Sequence, residues 1–177
     1  MTRTTPTTLN TLSTVVTTGL LASLTLASPP TYEDLPIGTT YVVGDSDSST
    51  GVPFRFDCFR WASGDVFCGG IARIDPQIPG CNSGRRMLLN NINVQYDYLG
   101  SIGAQTNPVF AFGEYGGNIN LAINGDTRNF ANFLDIDGTV VGGCTVRVLS
   151  GGGGNDCGRI MFEGVVNRMT VGGQEFW

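Results

Sequence analysis

Apolar and polar residues alternate with a period of two along most of the chain after residue 40. The clearest stretch spans residues 88–98, where apolar and polar side chains fall on opposite faces of an extended backbone. The apolar face carries Leu88, Ile92, Val94, Tyr96 and Tyr98, and the polar face Asn91, Asn93, Gln95 and Asp97. This pattern predicts a β-strand with one buried and one solvated face. Ile119, Leu121 and Ile123, which alternate with polar residues, predict a second such strand.

Further strands are predicted between turn signals along the rest of the chain. They cover residues 41–43, 54–61, 66–74, 109–115, 129–137, 139–149 and 159–171, and the last two are long enough to bend or split at their glycines. Asn124-Gly125 and Asp137-Gly138 suit tight turns, and residues 151–155 suit a flexible tip. We find no capped helical spacing longer than about two turns. The predicted fold is therefore all-β: an antiparallel β-sandwich or jelly-roll-like barrel.

Residues 1–40 differ in composition from residues 41–177, which we assign to a single sandwich domain. Threonine dominates residues 1–18, residues 15–27 are mildly apolar, and Pro29 and Pro30 prevent a helix from continuing. One interpretation is a secretory signal that is removed from the natural protein. The other, which we favour, is an extended N-terminal arm that becomes ordered on a partner, because β-branched threonine prefers extended backbone. The apolar stretch is too short for a membrane span.

Charge and side-chain chemistry narrow the function classes. The chain has 177 residues, no histidine and no lysine, and a formal net charge of −5. Histidine is the commonest general base, so its absence leaves few residue types for catalysis. The arginines are scattered and the balance is acidic, which disfavours direct binding to nucleic acid. No cofactor is expected.

The five cysteines allow a disulfide but do not require one. If residues 62–64 form a three-residue hairpin loop, Cys58 lies directly opposite Cys68, within reach of a bridge. The favoured interpretation is that all five are buried thiols, since the number is odd and their spacing is not that of a zinc site. A Cys58–Cys68 bridge remains open for a protein in an oxidising compartment.

The segment FLDIDGTV at 133–140 resembles the first motif of the haloacid-dehalogenase-like phosphatases, an apolar strand that ends in DxDGT. The resemblance implies that Asp135 attacks phosphate, that Asp137 acts as acid and base, and that magnesium binds between them. It covers about eight residues. The same residues fit a strand that runs into an Asp-Gly turn, and we favour that interpretation.

Two other acidic segments invite a functional interpretation. The residues VVGDSDS at 42–48 resemble the GDSL hydrolases, in which the serine after Gly-Asp, here Ser46, attacks an ester with a histidine as base. This chain has no histidine, so we predict a solvated loop over residues 44–51. A calcium ion could be held by oxygen ligands from Asp45, Asp47, Asp135 and Asp137. We assign no catalytic, cofactor-binding or metal-binding residue.

Charged and aromatic residues around the first hairpin are expected to be structural. Either ion pairs or a charged strand face fits Arg55, Asp57, Arg60 and Asp65. A core position is predicted for Phe54, Phe56, Phe59, Trp61 and Phe67. Phe176 and Trp177 would make a sticky patch if exposed, so we expect them to dock on their own domain or on a neighbour.

These observations favour a non-enzymatic structural subunit of a large extracellular assembly. The first expectation is a viral capsid or capsid-decorating protein, located in the virion or outside the cell. Residues 1–40, Phe176 and Trp177 would contact copies of the same chain, in a homo-oligomer, and a major shell protein. One alternative is a secreted β-sandwich adhesin or surface-filament subunit with a cleaved signal. Another is the DxDGT-type phosphohydrolase.

Overall fold

The computed structural model describes residues 30–81, 84–174 and 176. Within them the chain forms sixteen β-strands and one short 3-10 helix. The strands of the first half are β1 Thr40–Val42, β2 Ser46–Ser49, β3 Val52–Arg60, β4 Val66–Phe67, β5 Ile71–Asp75, β6 Arg86–Asn90, β7 Ile92–Asp97 and β8 Gln105–Thr106. The second half has β9 Val109–Glu114, β10 Ile119–Ile123, β11 Asp126–Phe130, the 3-10 helix Phe133–Ile136, β12 Val140–Val141, β13 Cys144–Ser150, β14 Asp156–Glu163, β15 Val165–Val166 and β16 Arg168–Gly173.

The first sheet is antiparallel, with strand order β11-β10-β16-β7-β3-β2 and β4 paired to the end of β3. Its strands alternate as their sequences predict: Ile119, Leu121 and Ile123 are buried on one face of β10. The inner faces of β7 and β16 add Tyr96 and Met169, which are directly paired across the two strands. This inner face forms one wall of the hydrophobic core.

The second sheet consists of two blocks that a single residue connects. One block has strand order β1-β5-β6 and the other β12-β13-β14-β9. Phe176 forms an antiparallel bridge to Leu89 of β6 and another to Glu114 of β9. It therefore occupies a strand position between the two blocks at one end of the sheet. A separate ribbon pairs β8 with β15.

Both sheets contribute to one buried core, which confirms the predicted all-β antiparallel sandwich. Aromatic contacts cross between them: Tyr41 of β1 stacks on Phe56 of β3 with ring centroids 4.8 Å apart. The sheets do not close into a barrel, because closure would require every edge strand to be paired. Among the described residues, β2 and β11 end the first sheet and β1 and β12 end the second.

The stretch predicted as one strand over residues 88–98 is two strands in different sheets. Asn91 has φ of 52°, in the left-handed region, and this conformation turns the chain from β6 into β7. The turn resets the alternation, so the prediction that Leu88 faces the core is wrong: Leu88 is half-buried and Leu89 is buried instead. The predicted inward positions of Ile92, Val94 and Tyr96 are confirmed.

The strand predicted over residues 129–137 is also wrong beyond Phe130. The chain leaves β11 and forms the 3-10 helix. A hydrogen bond from the Asn132 N–H to Asp135 Oδ2, at 2.9 Å, stabilises the first turn of this helix. Phe133 is buried within the helix and packs on Phe112 at 4.5 Å between ring centroids. The core therefore takes Phe133 from a helical turn rather than from a strand.

Glycines and turn residues break the chain largely where the sequence predicts. Residues 139–149 split at Gly142 and Gly143, and residues 159–171 split at Gly164. The Asn124-Gly125 turn is confirmed, with φ of 51° and 92°, and it joins β10 to β11. Two predictions were wrong: residues 66–74 are two strands, and the loop predicted over residues 44–51 contains β2.

An asparagine relay crosses the outer face of the first sheet. The Asn129 side-chain amide donates to Asn120 Oδ1 at 2.9 Å, and the Asn120 amide donates to Asn93 Oδ1 at 3.1 Å. The Asn93 amide in turn donates to the carbonyl of Cys58 at 2.8 Å. Gly172 lies between Asn120 and Asn93 on β16, and its missing side chain leaves the space in which their amides meet.

Four cysteines form disulfides, which corrects the prediction of five buried thiols. Cys58 is bonded to Cys68 across the predicted hairpin, where Trp61 N–H donates to the Asp65 carbonyl at 2.9 Å. Cys81 is bonded to Cys157, a pairing that connects β14 to the segment after β5. Cys144 is a buried free thiol. Close approach in the fold, rather than spacing in the sequence, decides the second pairing.

The arm predicted over residues 1–40 lies mainly outside the described residues, because residues 1–29 are not among them. Residues 30–39 lie against the sandwich. Leu35 is buried in the core, and the Gly38 N–H donates to the Ile74 carbonyl at 2.8 Å. These ten residues bring the chain to the open end of a cleft in the second sheet.

Candidate functional site: an open strand position in the second sheet

A cleft of about 450 Å³ lies between the edge strands of the two blocks of the second sheet. At one end, Phe176 bridges both Leu89 of β6 and Glu114 of β9, so the two edges there are separated by one strand position. Beyond Phe176 the walls continue as β6 and β9, and apart from Phe176 these two edges pair with no further strand among the described residues. The cleft is thus a strand position that stays open among the residues the structure describes.

The floor of the cleft is the hydrophobic core. Tyr96 of β7 and Met169 and Val171 of β16 line it from the first sheet. The side walls are the inward side chains of the second sheet, Met87, Leu89, Phe110, Phe112, Ile160 and Phe162. An apolar floor beneath two strand edges is what an inserted strand with one apolar face would cover.

The backbone on both walls is oriented for strand pairing. Leu89 both donates to and accepts from Phe176, so alternation along β6 directs the N–H and C=O of Met87 into the cleft as well. On β9 the Pro108 carbonyl accepts from the Phe162 N–H at 3.1 Å. By alternation, the backbone N–H and C=O groups of Phe110 and Phe112 therefore also point toward β14. The backbone groups of Ala111 therefore point into the cleft from the opposite wall.

The open end of the cleft is lined by residues 30–32. The Tyr32 hydroxyl is hydrogen-bonded to the Tyr96 hydroxyl, and the Tyr32 N–H donates to Ser49 Oγ at 3.0 Å on the first sheet. Burial raises the pKa of Tyr32 to about 12, against a smaller lowering effect of its bond to Tyr96, and it raises the pKa of Tyr96 as well. Both hydroxyls are therefore neutral hydrogen-bonding groups at physiological pH.

Arginines hold the rim at the same end. The Arg85 guanidinium donates to the Glu33 carbonyl at 2.7 Å and to the Leu35 carbonyl. These bonds hold residues 33–35 against the start of β6. Asp75 pairs with Arg73, at 2.6 Å, and with Arg86, at 3.4 Å. The hydrogen bond from Arg73 is the main cause that lowers the pKa of Asp75.

The buried side chain of Glu114 lies at the end of the cleft that Phe176 closes. Glu114 is only 1% exposed, and its two oxygens accept from the Phe133 N–H at 3.1 Å and from the Gly154 N–H at 2.9 Å. Burial raises the pKa of Glu114, although the two backbone donors oppose the effect. The backbone of Glu114 also forms a β-bridge to Phe176. Glu114 therefore connects the 3-10 helix and the glycine-rich turn at residues 151–154 to the end of the cleft.

The residues singled out by the phosphatase resemblance do not converge on a cleft. Asp135 accepts from the Asn132 N–H, and Asp137 Oδ1 accepts from the Val148 N–H at 2.8 Å. The motif lies on the 3-10 helix and the turn that follows it, not at the end of the apolar strand that the resemblance implies. Both carboxylates therefore have structural hydrogen bonds in this fold.

The other candidates also have local partners. Asp45 accepts from the Val42 N–H and Asp47 from the Tyr41 hydroxyl, each at 2.8 Å, while Ser46 begins the exposed strand β2. Within the described part of the chain, no three His, Cys, Asp or Glu side chains are placed to hold a metal ion.

The predictions for the first hairpin and for the C-terminal aromatics have mixed outcomes. Arg55 forms an ion pair with Asp57 at 3.5 Å, whereas Arg60 donates to the Gly64 carbonyl and Asp65 accepts from the Ser63 hydroxyl. Phe54, Phe56 and Phe59 are core residues, as predicted, but Phe67 is 41% exposed and Trp61 is half-buried. Phe176 docks on its own domain, while Trp177 lies outside the described residues.

Sequence reasoning missed the cleft itself. Its residues come from five strands, from the segment before β1, and from Arg85, Phe133 and Phe176, and only the fold brings them together. The one available signal was Phe176, an aromatic residue near the chain end that was expected to dock.

For residues 30–81, 84–174 and 176, the fold and the site define an antiparallel β-sandwich with one strand position open between β6 and β9. No protein-family model, no curated protein and no solved structure matches this chain. No helix among residues 30–81, 84–174 and 176 is long and apolar enough to cross a membrane.

Proposed function

We propose that this chain is a non-enzymatic structural subunit of a large extracellular assembly, and that it joins its neighbours by strand addition. The observation that carries the proposal is the strand position between β6 and β9, which no described residue other than Phe176 occupies. An extended segment of another chain that enters such a position gains main-chain hydrogen bonds from both edges. It also covers an apolar floor, which supplies the hydrophobic part of the affinity.

The disposition of the acidic residues supports a structural rather than a catalytic role. Asp45, Asp47, Asp135 and Asp137 each accept a hydrogen bond at a turn or a strand end. Glu114, the buried carboxylate, is engaged by two backbone N–H groups. General acid–base catalysis needs a carboxyl group within reach of a substrate, and these are committed to the fold instead.

The two disulfides support an extracellular location. Disulfides persist in oxidising compartments and are rare in the reducing cytosol. Cys58–Cys68 and Cys81–Cys157 each cross-link segments that the fold has already brought together.

Two kinds of assembly fit this proposal. One is the viral shell or decoration layer, and the other is a surface filament. A subunit with one acceptor cleft and one donor segment makes head-to-tail contacts, which generate closed rings or open filaments. The open strand position therefore favours a ring or a filament as the form of the assembly.

Light scattering on the purified full chain tests the proposal. The wild type should show a molar mass above the 18.8 kDa of a monomer, rising with concentration. Ala111→Pro removes an N–H that points into the cleft while leaving the bonds between β9 and β14, so it should lower the molar mass. Ala111→Val is the matched control, because it keeps the N–H and should assemble like the wild type.

A wild type that stays at the monomer mass over the whole concentration range would overturn the proposal. So would an Ala111→Pro variant that is folded by circular dichroism and assembles as the wild type does. Ala111 is exposed on the outer face of β9, so neither substitution disturbs the core.

A further inference from the structure

We infer that residues 24–28 of a second copy of this chain provide the strand that fills the cleft beyond the position of Phe176. This inference rests on the proposed function, because a segment that filled its own subunit's cleft would connect no neighbours. The described residues show three features that such a strand must match: an apolar floor, a limited length and a defined open end.

The sequence of this segment has the alternation that the cleft requires. Leu24 and Leu26 lie on either side of Thr25 in the sequence. In an extended strand the two leucines point to one face and Thr25 to the other. Leu24 and Leu26 would face the floor formed by Tyr96, Met169 and Val171, and Thr25 would face solvent.

The length of the cleft matches two inward side chains. Pairing of Phe176 with Leu89 and Glu114 sets the register, so the next inward positions lie between Met87 and Phe112, and then between Arg85 and Phe110. Wall β9 has six residues, which corresponds to a length of roughly 20 Å. Leu24 and Leu26, two residues apart, fit these two positions.

Thr25, which lies between Leu24 and Leu26, then has a defined neighbour on β9. With Leu24 beside Phe112 and Leu26 beside Phe110, Thr25 lies directly opposite Ala111 on the outer face. Directly opposed residues on adjacent antiparallel strands have Cβ atoms about 4.5–5.5 Å apart. Cysteines at the two positions would therefore be within disulfide range.

The end of the segment fits the open end of the cleft. Pro30 lines that end together with Thr31 and Tyr32, and Tyr32 is held to the first sheet by Ser49. The connection between Tyr32 and Ser28 is only three residues long, and two of them are proline. A hinge this short invites exchange of a segment between copies in place of its return to the same subunit.

The test is a disulfide trap in the full chain, using Thr25→Cys together with Ala111→Cys. After mild oxidation we expect a ladder of covalent multimers on a non-reducing gel, with positions 25 and 111 joined in the linked peptides. Thr17→Cys together with Ala111→Cys is the matched control, since residue 17 lies outside the segment, and it should give no ladder.

The alternative outcomes separate this inference from the proposed function. A 25–111 link confined to the monomer band would overturn donation by a second copy. No link, in a variant that still assembles by light scattering, would overturn the choice of segment but leave the proposed function standing. An intact mass that begins near Ser28 in the assembled natural protein would also overturn it. A wild type that is monomeric would overturn the proposed function.

Discussion

The two disulfides should contribute unequally to stability, because they close loops of very different length. Cys81 and Cys157 are 76 positions apart in the sequence, whereas Cys58 and Cys68 are 10 positions apart. A disulfide stabilises mainly by restricting the unfolded chain, and the restriction grows with the logarithm of the loop length. The bridge between distant segments should therefore contribute more than the bridge across the hairpin.

The loop lengths give the expected magnitudes. The loop-entropy relation yields about 4.5 kcal/mol for the Cys81–Cys157 loop and about 2.7 kcal/mol for the Cys58–Cys68 loop at 25 °C. The difference of about 1.8 kcal/mol is the quantity to test, because errors common to the two bridges cancel in it.

Urea unfolding of two double variants measures the difference. Cys81→Ala with Cys157→Ala should lower the free energy of unfolding more than Cys58→Ala with Cys68→Ala, as judged by linear extrapolation. Cys144→Ala controls for the truncation of a cysteine that forms no disulfide. Equal losses, or a larger loss from the hairpin bridge, would refute the loop-length argument.

Two further predictions concern other parts of the sandwich. In Gly172→Ala the new Cβ would lie 2.1 Å from Asn93 Oδ1 and 2.4 Å from the Ile92 carbonyl oxygen. We expect the free energy of unfolding in urea to fall by about 1–3 kcal/mol. A fall no larger than that of Thr170→Ala, on the same strand and face, would contradict the need for glycine between Asn120 and Asn93. The raised pKa of Glu114 means that its contribution to stability is complete below pH 4.5 and is lost as the pH rises through the folded pKa. The unfolding free energy of the wild type should therefore fall relative to Glu114→Gln over that interval, and a constant or rising difference would contradict the assignment.

Local patterns predicted those parts of the fold in which neighbours in sequence are neighbours in space. The inward positions of Ile92, Val94 and Tyr96 follow from alternation within one strand. The hairpin that places Cys58 opposite Cys68 follows from a short loop and a count of residues outward from it. In both cases the structure depends on few residues, and those residues are contiguous.

The parts that sequence reasoning missed depend on single backbone conformations or on distant contacts. The pairs Leu88-Leu89 and Asn90-Asn91 interrupt the alternation, but this interruption alone does not signal that the positive φ of Asn91 moves the chain from one sheet to the other. Cys81 and Cys157 meet only because their segments are brought together by the whole fold. The cleft follows from strand order, which alternation does not specify.

The way the chain returns to the second sheet sets the strand position that is open among the described residues. After β16 the Gln174 N–H donates to the Asn118 carbonyl at 3.0 Å, and Phe176 lies between β6 and β9 at one end of the cleft. A side chain at Gly173 would place its Cβ 2.4 Å from Cβ of Phe176, so the close turn that delivers Phe176 needs glycine there. Phe176 therefore seals one end of the core, where it packs near Phe133 with ring centroids 5.7 Å apart, and it sets the register of both edges. In the proposed assembly, an incoming strand would meet two edges that Phe176 holds one strand position apart. Ordering of the acceptor would then be complete before association and would not detract from the binding free energy.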